Sequence, residues 1–445
     1  MRLKSENVMT KSILFICYYY PPIKSIGVLR NYYLSNELKS YFSEIHVITT
    51  TNLNLMAREN LPLYVDSIVT SLTIDYRTVS NLGIGNKSHF SEEKKKGIVR
   101  KLLNVNNSFP FNLFFGEGGL VYMLSSFFKA IKYINSRNIT HIYTSFMPAA
   151  DHVVAYSLTL IFPRKIKWIA DFRDLHIDPI YNHVIWKGLQ HWFWKKMLKR
   201  AHIVTTVSKG LAKHLRYYHS DVFVMRNGIG KLPLQIKETG ALKKFSIVYT
   251  GSMVKTERDP TLLLLALREL LHYGTFSYKE IQVIYAGKDS KLWQSLISQF
   301  QLDSIFSDRG LVSLNESRRL QHSAHINLLL TSAHPELTGV LTGKLYEYIE
   351  ARRPVLCIVN GTHDSELEEI FATTRAGLVT YNYLEELEKI KCFIEKKYQE
   401  WASKGDVNCE MSSESLAPFK WENIAQSLIK KLNIETIPSV QSYSQ

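Results

Sequence analysis

The sequence predicts an α/β protein made of two parallel-sheet domains. Short apolar runs, glycine-rich or polar turns and amphipathic stretches alternate along the whole chain, the rhythm of strand, turn and crossover helix. That rhythm runs twice, and a polar stretch rich in Gly and Lys separates the two series. The chain has 445 residues, 45% hydrophobic and 21% charged, which is enough apolar material for two cores.

In order, the first series offers strands in "ILFICYY", "EIHVITT", "HIYTS", "KWIADF", "HIVTTVS" and "VFVMRN", with helices such as "VLRNYYLSNELKSY" and "KGLAKHLRYY" between them. The opening apolar run is short, aromatic and closed by Pro21-Pro22, so it reads as a strand and not as a signal peptide. Residues 109–128, "FPFNLFFGEGGLVYMLSSFF", have about the length of a membrane span. Pro110, Glu117 and a Gly pair argue against spanning, while the composition suits lying on a membrane. The first domain is expected over 11–228 and a linker over 229–244. The second domain, 245–410, holds "FSIVYTG", "IQVIYAG", "HINLLLT", "RPVLCIV" and "AGLVTY". A helix restarting after Pro418, within 411–434, is placed to pack back on the first domain, and residues beyond 434 read as a frayed tail.

Composition excludes several function classes. Cys17, Cys357, Cys392 and Cys409 are widely spaced, with no CxxC and no His/Cys cluster, so neither a disulfide framework nor a metal site is expected, and the reducing cytoplasm is the natural compartment. The net charge of +15 is one-sided. Residues 1–240 hold 32 Lys and Arg against 15 Asp and Glu, whereas residues 241–445 hold 23 against 25. A basic half implies an anionic partner. No zinc-finger spacing, RNP-like aromatic motif or basic heptad supports nucleic acid. An anionic membrane surface fits better, and "HVIWKGLQHWFWKKMLKR" (183–200), with Trp186, Trp192 and Trp194 among Lys195, Lys196, Lys199 and Arg200, has the composition of an interfacial helix or of a core helix with a solvated basic face.

Ligands of open parallel sheets bind beyond the carboxyl ends of the strands, so the strand-to-helix turns are where chemistry is expected. In the first half, Ser25 and Gly27 form a small-residue turn suited to a phosphate or sugar. His152 opens a helix. Asp171, Arg173 and Asp174 follow an apolar strand, either pairing internally or binding acceptor hydroxyls and developing charge. Asp171, Arg173 and His152 are the catalytic candidates. In the second half, the turn at Gly251 presents Lys255 and Arg258 toward a diphosphate, and the backbone from Gly310 to Val312 is available to a base. In "LTGKLYEY", Thr342 and Gly343 open a helix whose free N–H groups suit an anion; Lys344 adds charge, and Glu347 is placed to accept from a ribose diol.

"YYYPPIKSIGVLRNYYLSNEL", "WIADFRDL", "IVTTVSKGLAKHL", "VMRNGI", "IVYTGSM" and "GKLYEYIEARRPVL", in that order, resemble a GT-B glycosyltransferase of family 4, in the branch that builds bacterial capsule, exopolysaccharide or O-antigen. The resemblance runs from about residue 11 to the closing "FKWENIAQSLIKKL". It implies two Rossmann-like doubly wound domains facing across a cleft, with a C-terminal crossover helix. It also implies a nucleotide-sugar donor held by the second domain, a UDP-sugar in preference to a GDP-sugar, and no other cofactor. The acceptor would be a saccharide on polyprenyl pyrophosphate, and transfer would be metal-independent and retaining, of hexosyl or N-acetylhexosaminyl type. The place of work would be peripheral, on the inner face of the cytoplasmic membrane. Glu347 matches the second glutamate of the family's E-x7-E pattern, and Arg258 its phosphate-binding basic residue. Gly339 stands where the first glutamate belongs, with Glu336 three positions away, and "SFMP" replaces the HxP-like turn with Ser145 and Phe146. A non-catalytic partner of the same fold and a non-hydrolysing nucleotide-sugar 2-epimerase are the alternatives.

Overall fold

The computed structural model describes residues 11–23, 26–51, 58, 61–74, 109–115, 118–177, 179, 186–230, 242–253 and 257–434. Ser25, Lys255, most of the expected linker and the tail beyond 434 lie outside them. The chain divides into two compact units, residues 1–226 with 421–445, and residues 227–420.

Unit 1 is a seven-stranded sheet in which β1 (Ser12–Ile16), β2 (Glu44–Thr50), β3 (Ser67–Ser71), β4 (Ile139–Phe146), β5 (Lys167–Phe172), β6 (Ile203–Thr206) and β7 (Val222–Val224) run in the spatial order β3-β2-β1-β4-β5-β6-β7. Every pairing is parallel, with Ser12 opposite Glu44 and Ile169 opposite Ile203, for example. The strands are nearly unbroken apolar runs because both faces are covered. One face packs Leu14, Ile142, Trp168 and Phe172; the other packs Ile13, Val47 and Ile169. The helices are α1 (Ile26–Glu37), α2 (Phe111–Phe115), α3 (Gly119–Ser136), α4 (Ala149–Ile161), α5 (Lys187–Leu198) and α6 (Lys209–Leu215).

Unit 2 is a six-stranded parallel sheet of β8 (Phe245–Thr250), β9 (Ile281–Ala286), β10 (Phe306–Asp308), β11 (Ile326–Ala333), β12 (Val355–Gly361) and β13 (Gly377–Tyr381), ordered β10-β9-β8-β11-β12-β13. Its helices are α7 (Thr261–His272), α8 (Ser290–Gln299), α9 (Leu314–Ser323), α10 (Gly343–Ala351), α11 (Ser365–Thr374), α12 (Leu387–Lys404) and the short α13 (Ser413–Leu416). Residues 413–419 stay in this unit, where the Ile229 N–H donates to the Phe419 carbonyl at 2.7 Å.

The return to unit 1 begins at Trp421 with α14 (Trp421–Lys431). Trp421, Ile424, Ala425, Leu428 and Ile429 are its buried stripe, at the spacing of one helical face. Trp421 stacks on Tyr33 of α1 with centroids 5.5 Å apart.

Each expected strand is present. β3 and β10 are additions, both at sheet edges: β3 alternates half-buried and exposed residues, and β10 is three residues long, so neither carries the apolar run that marks the central strands. In both sheets the strand order reverses once, between β1 and β4 and between β8 and β11. The loops beyond those strands are the crevices in which such sheets take ligands.

Candidate functional site

In unit 2 the loops beyond β8, β10 and β11 carry the residues expected to hold a nucleotide. Thr342 is extended (φ −73°, ψ 154°) and turns the chain into α10, but its hydroxyl makes no capping bond. The Leu345 N–H donates to the Thr342 carbonyl at 3.1 Å, whereas the amides of Gly343 and Lys344 take no partner among the described residues. Open amides at the positive end of a nine-residue helix make a seat for an anion.

Lys344 and Glu347 are joined, Nζ to Oε2, at 2.8 Å. Glu347 is 7% exposed. Burial alone would raise its carboxyl, but Lys344 and Arg318, with hydrogen bonds from Lys344 and Gln321, outweigh burial and hold the pKa below the ordinary value. The acid is therefore an anion able to accept.

The turn after β8 closes the other side. At Gly251 (φ +144°) an added Cβ would lie 3.7 Å from Cε of Lys344, which places this turn beside the α10 entrance. Arg258 donates from Nη1 to the Ser252 carbonyl at 3.1 Å and to its Oγ at 2.8 Å, so its guanidinium belongs to the same turn. Next along is Gly287, where a Cβ would overlap the Gly251 carbonyl, and its N–H donates to the Gly310 carbonyl at 2.8 Å. Val312 is half-buried against the core formed by Val248 and Ile284. Gly251, Arg258, Gly310, Val312, Thr342, Gly343, Lys344 and Glu347 thus gather at one end of the sheet. A groove of about 360 Å³ lined by Phe371, Arg375, Phe393 and Lys396 opens at the opposite, amino ends of β12 and β13 and is not part of this site.

Gln321 was not signalled by sequence. It is fully buried, and its amide nitrogen donates to Oε2 of Glu347 and to Oγ1 of Thr250, both at 2.9 Å, aiming the carboxylate. Only its place on α9, facing α10, reveals it.

Unit 1 treats its candidates differently. Asp171 is 0% exposed and its charge is spent on Arg30 of α1, Nη2 to Oδ1 at 2.7 Å. Thr205 and Tyr143 donate to the same carboxylate at 2.7 and 2.9 Å. Burial raises its pKa, but the Arg30 charge and these bonds more than reverse that, leaving it depressed. The internal pairing anticipated as one alternative exists, with Arg30 and not Arg173 as partner.

His152 does not open toward a ligand. Its ring is fully enclosed by Phe146, Trp168, Phe172 and Trp194, neither nitrogen has a hydrogen-bond partner, and burial drives its pKa to about 3.

Arg173 is half-buried, with Nε and Nη2 donating to the carbonyls of Phe146 and Met147 at 3.1 Å each. A Cβ at Gly27 would overlap its guanidinium, so Arg173 lies directly on the first turn of α1. Two residues proposed separately are thereby brought together; Ser25 is outside the described residues. Asp151, not singled out by sequence, accepts from the Tyr18 N–H and the Tyr122 hydroxyl, and burial lifts its pKa to about 8.

No protein-family model matches the chain, and no curated protein sequence does either. Solved structures do match. Sucrose-phosphate synthase from Thermosynechococcus elongatus superposes with a TM-score of 0.57 at 12% identity, over 95% of this chain and 98% of that one. The lipopolysaccharide outer core galactosyltransferase WaaB gives 0.55 at 10%, over 94% and 99%. The pneumococcal O-GlcNAc transferase GtfA, solved with UDP and GlcNAc, gives 0.53 at 10%, over 96% and 99%. These likenesses show the fold: two Rossmann-like units of the GT-B type.

Proposed function

We propose that the chain is a glycosyltransferase that takes a hexosyl or N-acetylhexosaminyl group from a nucleoside-diphosphate sugar, UDP in preference to GDP, and delivers it with retention to a saccharide on polyprenyl pyrophosphate, in surface-polysaccharide synthesis. One observation carries this reading: the open amides of Gly343 and Lys344, the Lys344 charge and the ionised Glu347 lie together beside the Gly251 turn. A diphosphate fits the first three groups and a ribose diol the fourth. As the glycosidic bond breaks, negative charge grows on the diphosphate. Amides and cations already aimed there stabilise that charge without reorganising, so the chain's own residues supply the electrostatic part of catalysis. Arg173, whose guanidinium lies against Gly27 in the first turn of α1, is the cation in unit 1 for an acceptor. Asp171 and His152 serve this reading as positioning and packing residues.

The membrane part rests on surface chemistry. No helix among the described residues is long and apolar enough to cross a bilayer. Yet Trp192 is 58% exposed and Phe128 65%, and Trp186, Leu124 and Phe114 are exposed too. The Lys196 ammonium stands over the Trp192 ring at 5.1 Å. Aromatic rings beside basic side chains suit an anionic interface, where each Lys or Arg contributes about 1 kcal/mol. Flotation with neutral and anionic vesicles tests this part; equal recovery on both removes its electrostatic basis.

The activity test offers a panel of UDP- and GDP-sugars with lipid-linked acceptors and reads the anomeric configuration of the product by NMR. One donor should give a product of retained configuration. An epimerised nucleotide sugar formed without acceptor would move the assignment to the epimerase alternative. A second reading, a non-catalytic partner of the same fold, draws on Gly339 standing where the resemblance expects an acid; nucleotide binding without transfer to any acceptor would favour it.

A further inference from the structure

Asp364, the N-cap of α11, joins two loops. Its Oδ1 accepts the Leu367 N–H at 3.1 Å, capping its own helix, and its Oδ2 accepts the Gly339 N–H at 2.8 Å, in the loop that leads into α10. The residue is 3% exposed, so water does not compete for either bond. Its own N–H donates to the Tyr381 hydroxyl at 3.1 Å, and that hydroxyl donates to Glu368 at 2.8 Å, which fixes the cap from the β13 side. A second tie between the same loops runs from the Thr362 N–H to the Ala333 carbonyl at 3.0 Å.

What Asp364 holds is the backbone that aims the anion seat. Gly339 has φ +71°, a conformation that side-chain-bearing residues adopt only with strain. Its carbonyl accepts the Leu341 N–H at 3.0 Å, and Leu341 is buried. Thr342 and the open amides follow directly. Glycine at 339 is thus the consequence of drawing this turn toward Asp364, and a glutamate here would strain the backbone.

We propose that Asp364 is a positioning residue for the diphosphate. It touches no ligand and acts through Gly339 on the direction of the Gly343 and Lys344 amides. The inference rests on reading the first turn of α10 as the diphosphate seat.

Asp364→Asn tests it. An asparagine offers one carbonyl oxygen, so either Leu367 or Gly339 loses its acceptor and faces an NH2 group. UDP and uridine are titrated calorimetrically into wild type and variant, and amide hydrogen exchange is followed over residues 334–345. The expected result is an approximately tenfold loss of UDP affinity, unchanged uridine affinity and faster exchange in that segment. Unchanged UDP affinity, or equal losses of UDP and uridine, overturns the positioning role, and unchanged exchange overturns the lock itself. A wild type that binds neither compound removes the nucleotide reading and with it the role in binding, while the exchange comparison still decides the lock. If Asp364→Asn fails to fold, Gly339→Ala keeps the α11 cap while straining the turn, and the same pattern is expected of it.

Discussion

Arg30 and Asp171 form a buried two-bond ion pair, Nε to Oδ2 at 2.8 Å and Nη2 to Oδ1 at 2.7 Å, across 141 residues of chain. Arg30 also donates to the carbonyls of Met225 at 2.8 Å and Arg226 at 3.2 Å, so the pair ties α1, β5 and the segment after β7 together. Removing one partner leaves a charge buried without its counterion, which costs about 3–5 kcal/mol. Asp171→Ala is therefore expected to lower stability by that amount in denaturant unfolding, with UDP affinity unchanged well below the transition. Wild-type stability with lost transfer would return Asp171 to a reacting role.

Gln321 and Glu347 offer a second test. Gln321→Ala removes the donor that aims the carboxylate, and about 1–3 kcal/mol of binding should go with it. UDP and uridine should weaken together in calorimetric titration, because the ribose contact is what is lost. Unaltered uridine affinity would leave Gln321 as packing only.

Gly27→Ala should act through Arg173. The added methyl overlaps the guanidinium, which is the far end of a flexible side chain, so the fold can yield and the cation moves off the first turn of α1. Gly27→Ala and Arg173→Ala are expected to lose transfer activity to a similar degree, each with a stability change of about 1 kcal/mol or less. Full activity in both would exclude this turn from the reaction.

Stability should peak near neutral pH. His152 and His141, each with a pKa near 3, and His176, well below its ordinary value, are kept neutral chiefly by burial. The unfolded chain takes up their protons first, so the stability they carry is complete above about pH 6.5 and is lost as pH falls below it, by up to about 1.4 kcal/mol per pH unit for each. Asp151 runs the other way. Its folded pKa of about 8 exceeds the unfolded value, so its contribution is present at low pH and is lost as pH rises toward 8. Three groups outweigh one below pH 6.5. Melting temperature against pH should fall on the acid side, less steeply in His152→Phe, and an identical slope would remove His152 from the account.

Much of this was legible because it depends on local pattern. The apolar run ending at Gly251 announces a turn after a buried strand, and Thr342-Gly343 announces a helix start in the loop that follows another, β11; those two strands flank the reversal of strand order. What depended on register was not legible. Gln321 meets Glu347 across 26 residues and Asp364 meets Gly339 across 25, and only the packing of α9 on α10, and of the β12–α11 loop on the loop before α10, brings them together. Asp171 and His152 could be seen as polar groups at strand and helix ends, but their enclosure could not, because it is produced by Arg30 in one case and by Trp168 and Trp194 in the other.

The most direct measurement is calorimetric titration of UDP into the wild-type chain and into Lys344→Met, which keeps the length of the stem and deletes the charge. Saturable binding by the wild type, weakened about tenfold or more in the variant while uridine affinity is kept, is the predicted result. Wild-type protein that takes up neither UDP nor GDP, or a variant that binds UDP as tightly as the wild type, would contradict a diphosphate seat at the start of α10.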